Sequence, residues 1–532
     1  MKLKHVFISI LFVAPLLVGA QHFQIQNQFG FGTPEWDYLY SVVETTDGGF
    51  LFCARTGSGI SGDKTSANFG ELDIWLVKTN STGTILWQKS YGGSSNDAGY
   101  QLLQTMDGNF LLSCVSTSTI SGNKSVPGYG SADLWLIKID ELGNILWQKS
   151  YGGNAWEFVP KIAERPNGDI YSTGSTSSLA ATGTRQAPLK GTASYWVLQL
   201  DSAGNLKKEF CFGGNLEDFG KGSHRLSANS QIFIGASSSS DTLDKSEPSY
   251  GENDIWVLKT DTNGNISTDK TIGGNRNDVA RGSIMDNQGN IIIISESESP
   301  VSGNKTAAKI AGKDLWLVKL DTNLNIIWDK TFGGLLDESV EFGGGMYSTS
   351  QNISIICGAS ESPKIGNKTS ENFGGFDFWI IGVDNQGNKV MEISLGGLQE
   401  DIAMDIIETS TGALMVVGAS ESGVSGNKTI ANQGVYDAWV VKLDIMVSVN
   451  EIKSTTIDAY PIPASTILNF SVPVLANHVL AQIVDITGKT VLSKNLNSQP
   501  SAQFDVTTLK SGTYFLTLTG ANFSYSRMVV IE

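Results

Sequence analysis

Histidine is the first residue type to consider for chemistry, because it is scarce. Only four histidines occur in 532 residues, namely His5, His22, His224 and His478. His5 lies in an apolar leader, His22 directly after that leader and His478 near the C-terminus, so a Ser-His-Asp triad or a histidine-rich zinc site would depend on His224. The simpler interpretation gives His224 a structural role.

Carboxylates recur at one position of a repeating pattern. An acid stands four residues after a Gly-Gly pair or its equivalent in seven places: Asp37, Asp97, Glu157, Asp218, Asp278, Glu338 and Asp401. Such a ring acid is either a cap that accepts backbone amide hydrogens or part of a ring that binds a cation or a basic group. Its presence in every unit favours the cap. We expect no cofactor, with a structural cation such as calcium as the alternative.

Residues that break the repeat are better candidates for a specific site, because two catalytic carboxylates need different environments. Three positions after the ring acid the residue type varies, and this column includes Tyr40, Tyr100, Lys221, Arg281 and Glu341. Trp36, Trp156, Lys161, His224 and Asp405 lie near the same positions. In a channel lining, such a mixture recognises a polar ligand such as a glycan. The alternative is ordinary variation among lining residues.

The elements that must position these residues follow a fixed period. A tryptophan marks each unit, at Trp75, Trp135, Trp196, Trp256, Trp316, Trp379 and Trp439, with spacings of 60, 61, 60, 60, 63 and 60 residues. Each unit reads as four strands with Asp-Gly or Asn-Gly turns. We expect the seven tryptophans to lie between neighbouring sheets, where a structural role is favoured over ligand stacking.

Burial pattern and chain ends together predict the fold class. Middle strands such as residues 291–295 and 413–419 are apolar on both faces, as expected for sheets stacked between other sheets. The last unit lacks its fourth strand, and residues 23–29 match that missing strand. We therefore predict an all-β, seven-bladed β-propeller whose N-terminal strand closes the last blade, followed by a small C-terminal β-sandwich.

A loop with the pattern SGNKT joins the second and third strands of most units. Its lysine precedes the tryptophan by 11 residues, as at Lys124, and the third unit has no lysine there. One interpretation is a tight turn in which Asn or Asp bonds its own backbone. The other is a ring of loops that presents a repeated ligand surface.

Charge, cysteines and leader limit the class of protein. The formal net charge of −16 makes binding to phosphate backbones improbable. Cys53, Cys114, Cys211 and Cys357 lie in or beside apolar runs of different units, which favours buried free thiols over disulfides. Residues 1–20 read as a signal peptide, since two lysines precede an apolar segment that is too short to span a bilayer comfortably.

The C-terminal residues resemble a known family. Ala459–Ala464 reads AYPIPA, Asp485–Lys489 reads DITGK, Leu509–Leu516 reads LKSGTYFL, and the chain ends in RMVVIE. These motifs closely resemble the C-terminal sorting domain of type IX secretion cargo in Bacteroidetes, although Ile462 replaces the usual Asn. The resemblance implies a β-sandwich that directs cargo through the type IX machinery and across the outer membrane. We divide the chain into a signal peptide (1–20), a propeller (21–446) and a sorting domain (447–532).

A second resemblance concerns how blades are joined. Residues 138–153, KIDELGNILWQKSYGG, are similar to the tryptophan-docking repeat of quinoprotein propellers, in which a glycine turn and a docked tryptophan connect neighbouring blades. The second tryptophan is kept at Trp87, Trp147 and Trp328 and replaced by Lys208, Thr268 and Met391. The resemblance implies the packing and does not extend to the quinone cofactor.

These observations favour a secreted or surface-attached propeller that acts as a binding or scaffold module for a glycan or a protein. No transmembrane segment and no nucleic-acid partner are expected. The alternative is an endoglucanase-like hydrolase or a lyase acting on glycans, with Glu341 and Asp405 as its candidate catalytic carboxylates.

Overall fold

The computed structural model of the protein describes residues 21–340, 345–447, 457–472, 479–496, 499, 501–520 and 523–532. The predicted signal peptide and Glu341 lie outside these residues. Within them, every regular element is a β-strand, and no helix has the length and apolar character needed to cross a membrane. The chain forms two compact units, one of Ala20–Val447 and one that contains Ser448–Glu532.

The first unit consists of an N-terminal strand followed by seven groups of strands. The N-terminal strand is β1 (Gln21–Phe31). The next three groups are β2 (Asp37–Glu44), β3 (Phe50–Thr56), β4 (Asp73–Thr79), β5 (Ile85–Tyr91); β6 (Asp97–Gln104), β7 (Phe110–Ser116), β8 (Asp133–Ile139), β9 (Ile145–Tyr151); and β10 (Glu157–Glu164), β11 (Ile170–Thr176), β12 (Ser194–Leu200), β13 (Leu206–Phe212).

Groups four to seven continue the pattern. They are β14 (Asp218–Ser227), β15 (Ser230–Ser237), β16 (Asp254–Thr260), β17 (Ile266–Ile272); β18 (Asp278–Met285), β19 (Ile291–Ser297), β20 (Asp314–Leu320), β21 (Ile326–Phe332); β22 (Glu338–Ser339), β23 (Met346–Ser348), β24 (Ser354–Ser360), β25 (Asp377–Val383), β26 (Lys389–Leu395); and β27 (Asp401–Glu408), β28 (Leu414–Ser420), β29 (Asp437–Val447).

Each group forms one antiparallel sheet whose strands pair in sequence order, except that β22 and β23 of the sixth group both pair with β24. The seventh sheet is completed by β1, which pairs with β29 from Gln21 opposite Val447 to Phe31 opposite Ala438. The strand just after the predicted leader therefore supplies the strand that the last sheet lacks.

Apolar clusters join the seven sheets into a closed ring. Each of seven clusters contains side chains of two neighbouring sheets and one of the repeat tryptophans. In one of them, Ile74 of the first sheet packs with Trp135 of the second. Another joins Val440 of the seventh sheet to Trp75 of the first. The unit is a seven-bladed β-propeller, as predicted.

The repeat tryptophans are the largest buried side chains at these joints. All seven are between 0% and 3% exposed. Burying 150–250 Å² of each ring corresponds to an upper value of about 4–6 kcal/mol of transfer free energy. Their regular spacing in the sequence thus reflects one packing site that is used seven times.

The second tryptophan of a unit docks on the next blade. The ring of Trp87 lies against Gly143, so closely that a Cβ there would be 2.9 Å from Trp87 Cη2. Nearby, the hydroxyl of Tyr91 donates a hydrogen bond to the carbonyl oxygen of Gly143 at 2.6 Å. Trp147 contacts Gly204 in the same way. The packing implied by the quinoprotein resemblance is therefore present.

Joints without the second tryptophan are filled differently. The third blade carries Lys208 instead of a second tryptophan, and its Phe210 covers Gly264 of the next blade. Lys208 donates a hydrogen bond to the carbonyl oxygen of Thr262 at 2.8 Å. Where Thr268 replaces the tryptophan, the facing turn has Leu324 instead of glycine. Leu324 is 3% exposed despite a φ of 67°. Its buried side chain occupies space that a tryptophan fills elsewhere, and this packing offsets the strained backbone.

The one long spacing, 63 residues, arises in the inner strand of the sixth blade. Ser339 of β22 pairs with Ala359, and Met346 of β23 pairs with Ile356. From Ser339 to Met346 the inner side of the sheet advances by seven residues while β24 advances by three. In the seventh blade the same part of the inner strand advances by four residues while its partner advances by three. The three additional residues of this unit therefore fall between Ser339 and Met346 in the sequence.

The four cysteines are buried and free, as predicted. Burial raises the pKa of the Cys53 thiol to about 12. The thiols therefore act as small apolar side chains rather than as nucleophiles.

The second unit contains two sheets that share one core. Its strands are β30 (Ala459–Tyr460), β31 (Ile467–Ser471), β32 (Val479–Asp485), β33 (Thr490–Leu496), β34 (Ser501–Asp505), β35 (Gly512–Gly520) and β36 (Phe523–Ile531). The strand orders are β30-β31-β34 and β33-β32-β35-β36. Phe470 and Phe504 of the first sheet pack in the same cluster as Leu516 and Val529 of the second. The predicted β-sandwich is confirmed.

The docked turn gives a matched stability test. Gly143→Ala introduces a side chain at φ 73° and against Trp87, whereas Gly108→Ala does so at φ 83° with no atom within 4 Å. We expect Gly108→Ala to lower the free energy of unfolding by about 1 kcal/mol. Gly143→Ala should lower it by roughly 2–4 kcal/mol, because Trp87 must also move. Equal losses in chemical unfolding would show that the docking contributes nothing.

Candidate functional site

The ring acids are buried caps of the turns that precede the inner strands. Asp97 is 0% exposed and accepts hydrogen bonds from the backbone N–H of Gly93 (2.7 Å) and the hydroxyl of Ser118 (2.8 Å). The bond from the N–H four residues earlier recurs at Asp37 (2.6 Å), Glu157 (3.2 Å), Asp218 (2.7 Å), Asp278 (2.6 Å), Glu338 (3.2 Å) and Asp401 (2.8 Å). The capping interpretation therefore describes all seven.

The alternative of one shared cation is not supported by this arrangement. Each ring acid serves the turn of its own blade. Among the described residues, no group of three or more histidine, cysteine, aspartate or glutamate side chains could hold a metal ion. Calcium as a structural cation stays a prediction.

A second aspartate lies near the ring acid in six of the seven joints. Asp73, at the start of β4, lies near Asp97 of the next blade, and burial together with the Asp97 charge raises its pKa to about 6. A Cβ on Gly92 would be 1.9 Å from Asp73 Oδ1, so only glycine lets the linker approach this carboxylate. Ser194 replaces the second aspartate in the third blade. The first glycine of the Gly-Gly pair is thus required because it lies against a buried pair of carboxylates.

The lysines of the SGNKT loops are buried at the same joints. Lys124 is 1% exposed, and its ammonium group donates to the carbonyl oxygens of Ser118 (2.8 Å) and Val126 (3.1 Å). It also lies 5.8 Å from the centroid of the Trp135 ring. The equivalent lysines are at most 3% exposed: Lys64, Lys245, Lys305, Lys368 and Lys428. The lysines are therefore not part of a ligand surface, which was the second of the two interpretations of these loops.

The third blade has a cation at this position after all. Arg185 is 2% exposed, forms an ion pair with Glu209 at 3.0 Å and stacks 5.5 Å from the Trp196 centroid. Its spacing of 11 residues before Trp196 was visible in the sequence. A search for lysine alone missed it.

The variable column of the inner strands coincides with a β-bulge. The register shifts at Tyr40 in β2, Tyr100 in β6, Lys221 in β14 and Arg281 in β18. A bulge leaves its extra residue outside the ladder and re-aims the side chain. These four residues can therefore differ between blades without breaking a sheet. Glu341, the fifth member of the predicted set, lies outside the described residues.

Aromatic side chains form a continuous track along one side of the channel. Tyr38 stacks on Tyr436 with ring centroids 5.2 Å apart and on Tyr40 at 6.2 Å, and Tyr40 packs against Tyr100 at 5.1 Å. Trp36 meets Tyr38 edge-on at 6.4 Å and is 53% exposed. We call these five residues the aromatic track. It begins at an exposed tryptophan and ends at the bulges.

Polar groups hold the aromatic track in place. The guanidinium of Arg55 lies 5.5 Å from the Tyr38 ring centroid and 5.6 Å from that of Tyr40. The Tyr436 hydroxyl donates to Glu400 at 2.6 Å. The backbone of Trp36 forms a bridge with Tyr436 across the joint between the last and first blades. The track is therefore fixed by both blades.

A second aromatic group occupies the equivalent positions of the third and fourth blades. Trp156 and Phe158 stack at 6.0 Å, and Phe158 meets Phe219 edge-on at 6.4 Å. Trp156 is 47% exposed and Phe158 41%. Exposed aromatics thus occur at two places around the same end of the inner strands.

A cavity of about 220 Å³ lies where six inner strands meet. It is lined by Gln101, Lys161, Ile162, Ala163, Lys221, Gly222, Ser223, His224, Gly282, Ser283, Gly345, Met346 and Asp405. The lining begins at the bulge column and continues one to three residues further along the strands. The cavity therefore lies next to the point where the aromatic track ends.

The cavity lies to one side because the joints of the channel differ. At the position after the bulge, Asp405, Ser41 and Gln101 carry acceptors that bond the backbone N–H of the next inner strand, at 3.2 Å, 3.2 Å and 2.7 Å. The equivalent positions of blades four to six are Gly222, Gly282 and Gly345. Side chains fill the space between neighbouring strands on one side, and glycines leave it open on the other.

Lysines outnumber carboxylates among the described residues of the cavity lining. Burial lowers the pKa of Lys221 to about 8, and the nearby charges of Arg281 and Lys161 act in the same direction. Burial also lowers the pKa of Lys161, although the charge of Asp405 opposes the shift. His224 has a pKa lowered to about 4 by burial, so it is neutral at pH 7. Its Nε2 lies 2.9 Å from the Ser283 hydroxyl.

Arg281 is held by an ion pair instead of facing the cavity alone. Its guanidinium lies 2.7 Å from Glu296, and Glu296 also accepts the backbone N–H of Val340 at 2.8 Å. Arg281 thus has a carboxylate partner, as expected for a partly buried guanidinium.

Asp405, the catalytic candidate within the described residues, is used as an acceptor. It accepts the hydroxyl of Ser41 (3.1 Å) and the N–H groups of Val42 (3.2 Å) and Ile406 (2.9 Å). Burial raises its pKa, and the charge of Lys161 opposes this. Among the described residues of the cavity lining, it is the only carboxylate.

Sequence reasoning found part of the site. It placed Tyr40, Tyr100, Lys221 and Arg281 in one column. In the structure Tyr40 packs against Tyr100, and Arg281 lies near enough to Lys221 for its charge to lower the pKa of that lysine. Sequence reasoning missed Tyr38 and Tyr436. Tyr38 could have been found, because it lies two residues before Tyr40 and strand alternation places both on the same side.

Comparison with known proteins identifies the C-terminal unit. Residues 458–532 match the family of secretion system C-terminal sorting domains. This confirms the predicted resemblance and marks the chain for export by type IX secretion to the cell surface or the extracellular space. No curated protein matches the chain in sequence.

Solved structures match the chain only distantly. A protein of unknown function from Dyadobacter fermentans is 11% identical, over 80% of this chain and 99% of that chain, with a TM-score of 0.38. Hydrazine synthase from Kuenenia stuttgartiensis is 9% identical, over 74% of this chain and 95% of that chain, with a TM-score of 0.41. Matches this distant say nothing about activity.

The buried carboxylate pairs predict an unusual pH dependence. Burial and the charge of a neighbouring acid raise the pKa of Asp254 and of Asp377 to about 7, above about 4 in an unfolded chain. The resulting stabilisation is complete below pH of about 4 and is lost as the pH rises through about 7. We expect the free energy of unfolding to fall between pH 5 and pH 7.5.

Asp254→Ser, which copies Ser194, should reduce this fall by roughly 1 kcal/mol. The control is Asp140→Asn, because Asp140 is only partly buried and hydrogen bonds from Asn144 lower its pKa. Chemical unfolding at a series of pH values measures the slope. A slope unchanged by Asp254→Ser would contradict the assignment.

The sorting domain makes a prediction about location. Removal of residues 458–532 should leave the propeller inside the cell envelope, while the full-length chain reaches the surface or medium. The propeller is a compact unit by itself, so it should still fold. Fractionation with an antibody against the propeller provides the measurement. Equal amounts of both forms outside the cell would contradict a sorting role.

Proposed function

We propose that this cargo of the type IX secretion system is a saccharide-binding module that acts outside the cell. The observation that carries the proposal is the aromatic track, which leads from an exposed tryptophan to a polar cavity at the channel. The repeated residues of the seven blades serve the joints. The residues that differ between blades gather at this track and cavity.

The chemistry of the track suits a sugar ring. One face of a sugar carries C–H groups that pack on a flat aromatic surface, and its edge carries hydroxyls that need hydrogen-bond partners. Trp36 offers such a surface, since half of it is exposed. Glu400, which accepts the Tyr436 hydroxyl, and Arg55 provide polar groups beside it. Large exposed aromatic side chains of this kind mark interaction sites, because an apolar ring in contact with water is unfavourable unless a partner covers it.

A hydrolase or lyase is the second reading, and the described residues favour binding over it. Glycoside hydrolysis uses two carboxylates that flank the scissile bond. In the described part of the cavity lining, Asp405 has no second carboxylate beside it, and both of its oxygens accept hydrogen bonds from the protein. Its geometry supports a structural acceptor.

The proposal is tested with the purified exported protein on a glycan array, followed by calorimetry with a retained oligosaccharide. Trp36→Ala should weaken binding roughly 2- to 10-fold, because it removes one stacking surface. Leu146→Ala is the matched control, since Leu146 is 51% exposed on the outer strand β9. It should leave the affinity unchanged.

Three results would contradict the proposal. The first is an array without any retained glycan, which would favour a protein ligand. The second is turnover of a polysaccharide that is abolished by Asp405→Asn, which would establish the enzyme instead. A loss of binding in Leu146→Ala equal to that in Trp36→Ala would show that the track is not the contact surface.

A further inference from the structure

The cavity beside the aromatic track contains more cationic than anionic groups. Lys161 and Lys221 line it, and Asp405 is the single carboxylate among its described lining residues. Arg281 is already paired with Glu296 at 2.7 Å. At neutral pH, therefore, one positive charge of the described lining has no counter-charge within it. The whole chain, by contrast, has a net charge of −16.

Lys221 is the lysine of the lining that has no lining carboxylate beside it, since the charge of Asp405 acts on Lys161. Within the described residues its ammonium group forms no hydrogen bond or ion pair, whereas every lysine of the SGNKT loops has carbonyl acceptors such as Ser118 for Lys124. A partly buried ammonium without an acceptor loses hydration without compensation. An anion in the cavity would remove this cost.

The remaining lining groups suit a small oxyanion. Ser223 and Ser283 carry hydroxyls, and the neutral His224 lies 2.9 Å from the Ser283 hydroxyl. Gly222 and Gly282 leave room between the strands. A volume of about 220 Å³ corresponds to about seven water molecules in the liquid, which is enough for a carboxylate or sulfate group with part of its sugar.

We propose that this cavity takes the negatively charged substituent of an acidic saccharide, with Lys221 as the residue that selects for charge. The inference rests on the proposed function, because the aromatic track holds the sugar to which the substituent belongs. Tyr40 and Tyr100 end the track at the bulge column, and Lys221 occupies the same column two blades beyond Tyr100. Stacking gives affinity for saccharides in general, and the cavity gives preference for an acidic one.

The pH dependence of binding is a second consequence. An anion beside Lys221 favours the protonated amine, so binding draws the pKa of Lys221 upward from about 8. The affinity for an acidic saccharide should therefore fall as the pH rises from 6.5 to 9.5. The charged and titratable groups around Lys221 are Lys161, His224 and Asp405 in the cavity lining and Arg281 and Glu296 beside it. The pKa of His224, lowered to about 4, keeps it out of this window.

The experiment uses paired ligands on the full exported protein. The probes are tetragalacturonate with its methyl ester, and a sulfated galactan tetrasaccharide with its desulfated form. We expect the charged member of at least one pair to bind roughly 10- to 100-fold more tightly, as for a charge-assisted hydrogen bond in a partly buried site. The pair that shows the difference distinguishes carboxylate from sulfate.

Lys221→Met should abolish the difference between charged and neutral members. Lys149→Met, on the outer strand β9, is the control and should leave the difference intact. Lys221→Arg should retain it, which guards against misfolding of the Met variant. Equal binding of charged and neutral members by the unmodified protein would overturn the inference while the proposed function stands. Failure of all four probes and of the glycan array would overturn both.

Discussion

Close approach of buried polar groups at the blade joints is the constraint on which the whole ring depends. In most joints a linker passes so near to an aspartate carboxylate that a Cβ on Gly92, for example, would lie 1.9 Å from an oxygen of Asp73. The ring acid caps the same linker, and the loop lysine closes the joint over the repeat tryptophan. Burying any one of these polar groups alone would be unfavourable. Together they satisfy one another's hydrogen bonds and charges.

This dense packing explains why the sequence repeats so strictly in some columns. A glycine, a carboxylate, a lysine and a tryptophan are coupled, so replacing one alone would leave an unpaired charge or a clash. Where one partner changes, a neighbour changes with it. Arg185 stands in for lysine and pairs with Glu209. Leu324 replaces a glycine where Thr268 replaces a tryptophan.

The period therefore predicted the fold, and it predicted much less of the site. The spacing of the tryptophans and the missing last strand were enough to place β1 beside β29, because the ring closes only with that pairing. The burial of the loop lysines could not be read from the pattern, since Gly-Asn-Lys also suits an exposed turn. Likewise, the column of Tyr40 and Lys221 was visible. The bulge that turns these side chains away from the ladder was not, because it depends on pairing across the sheet.

Freedom at the channel follows from rigidity at the joints. Bulge residues take no part in the ladder, and the position after them carries a hydrogen-bond acceptor in three blades and no side chain in three others. Asp405, Ser41 and Gln101 use the first solution, and Gly222 and Gly282 use the second. A ring with seven equal joints can thus carry an unequal channel at little cost in stability, which is how a repeat fold acquires a specific site.

The charge distribution of the protein limits which kinds of acidic ligand such a site can recognise. An acidic protein repels acidic polymers at long range, but salt screens this repulsion beyond about 8–10 Å. The cations of the cavity act at contact, where burial reduces screening. A polyanion lying flat across the surface would meet mainly the acidic groups. A single charged substituent that reaches from the aromatic track toward Lys221 would contact this lysine and would not contact the acidic groups of the surface. The geometry therefore favours recognition of a chain end or a single substituent over recognition of an extended polyanion.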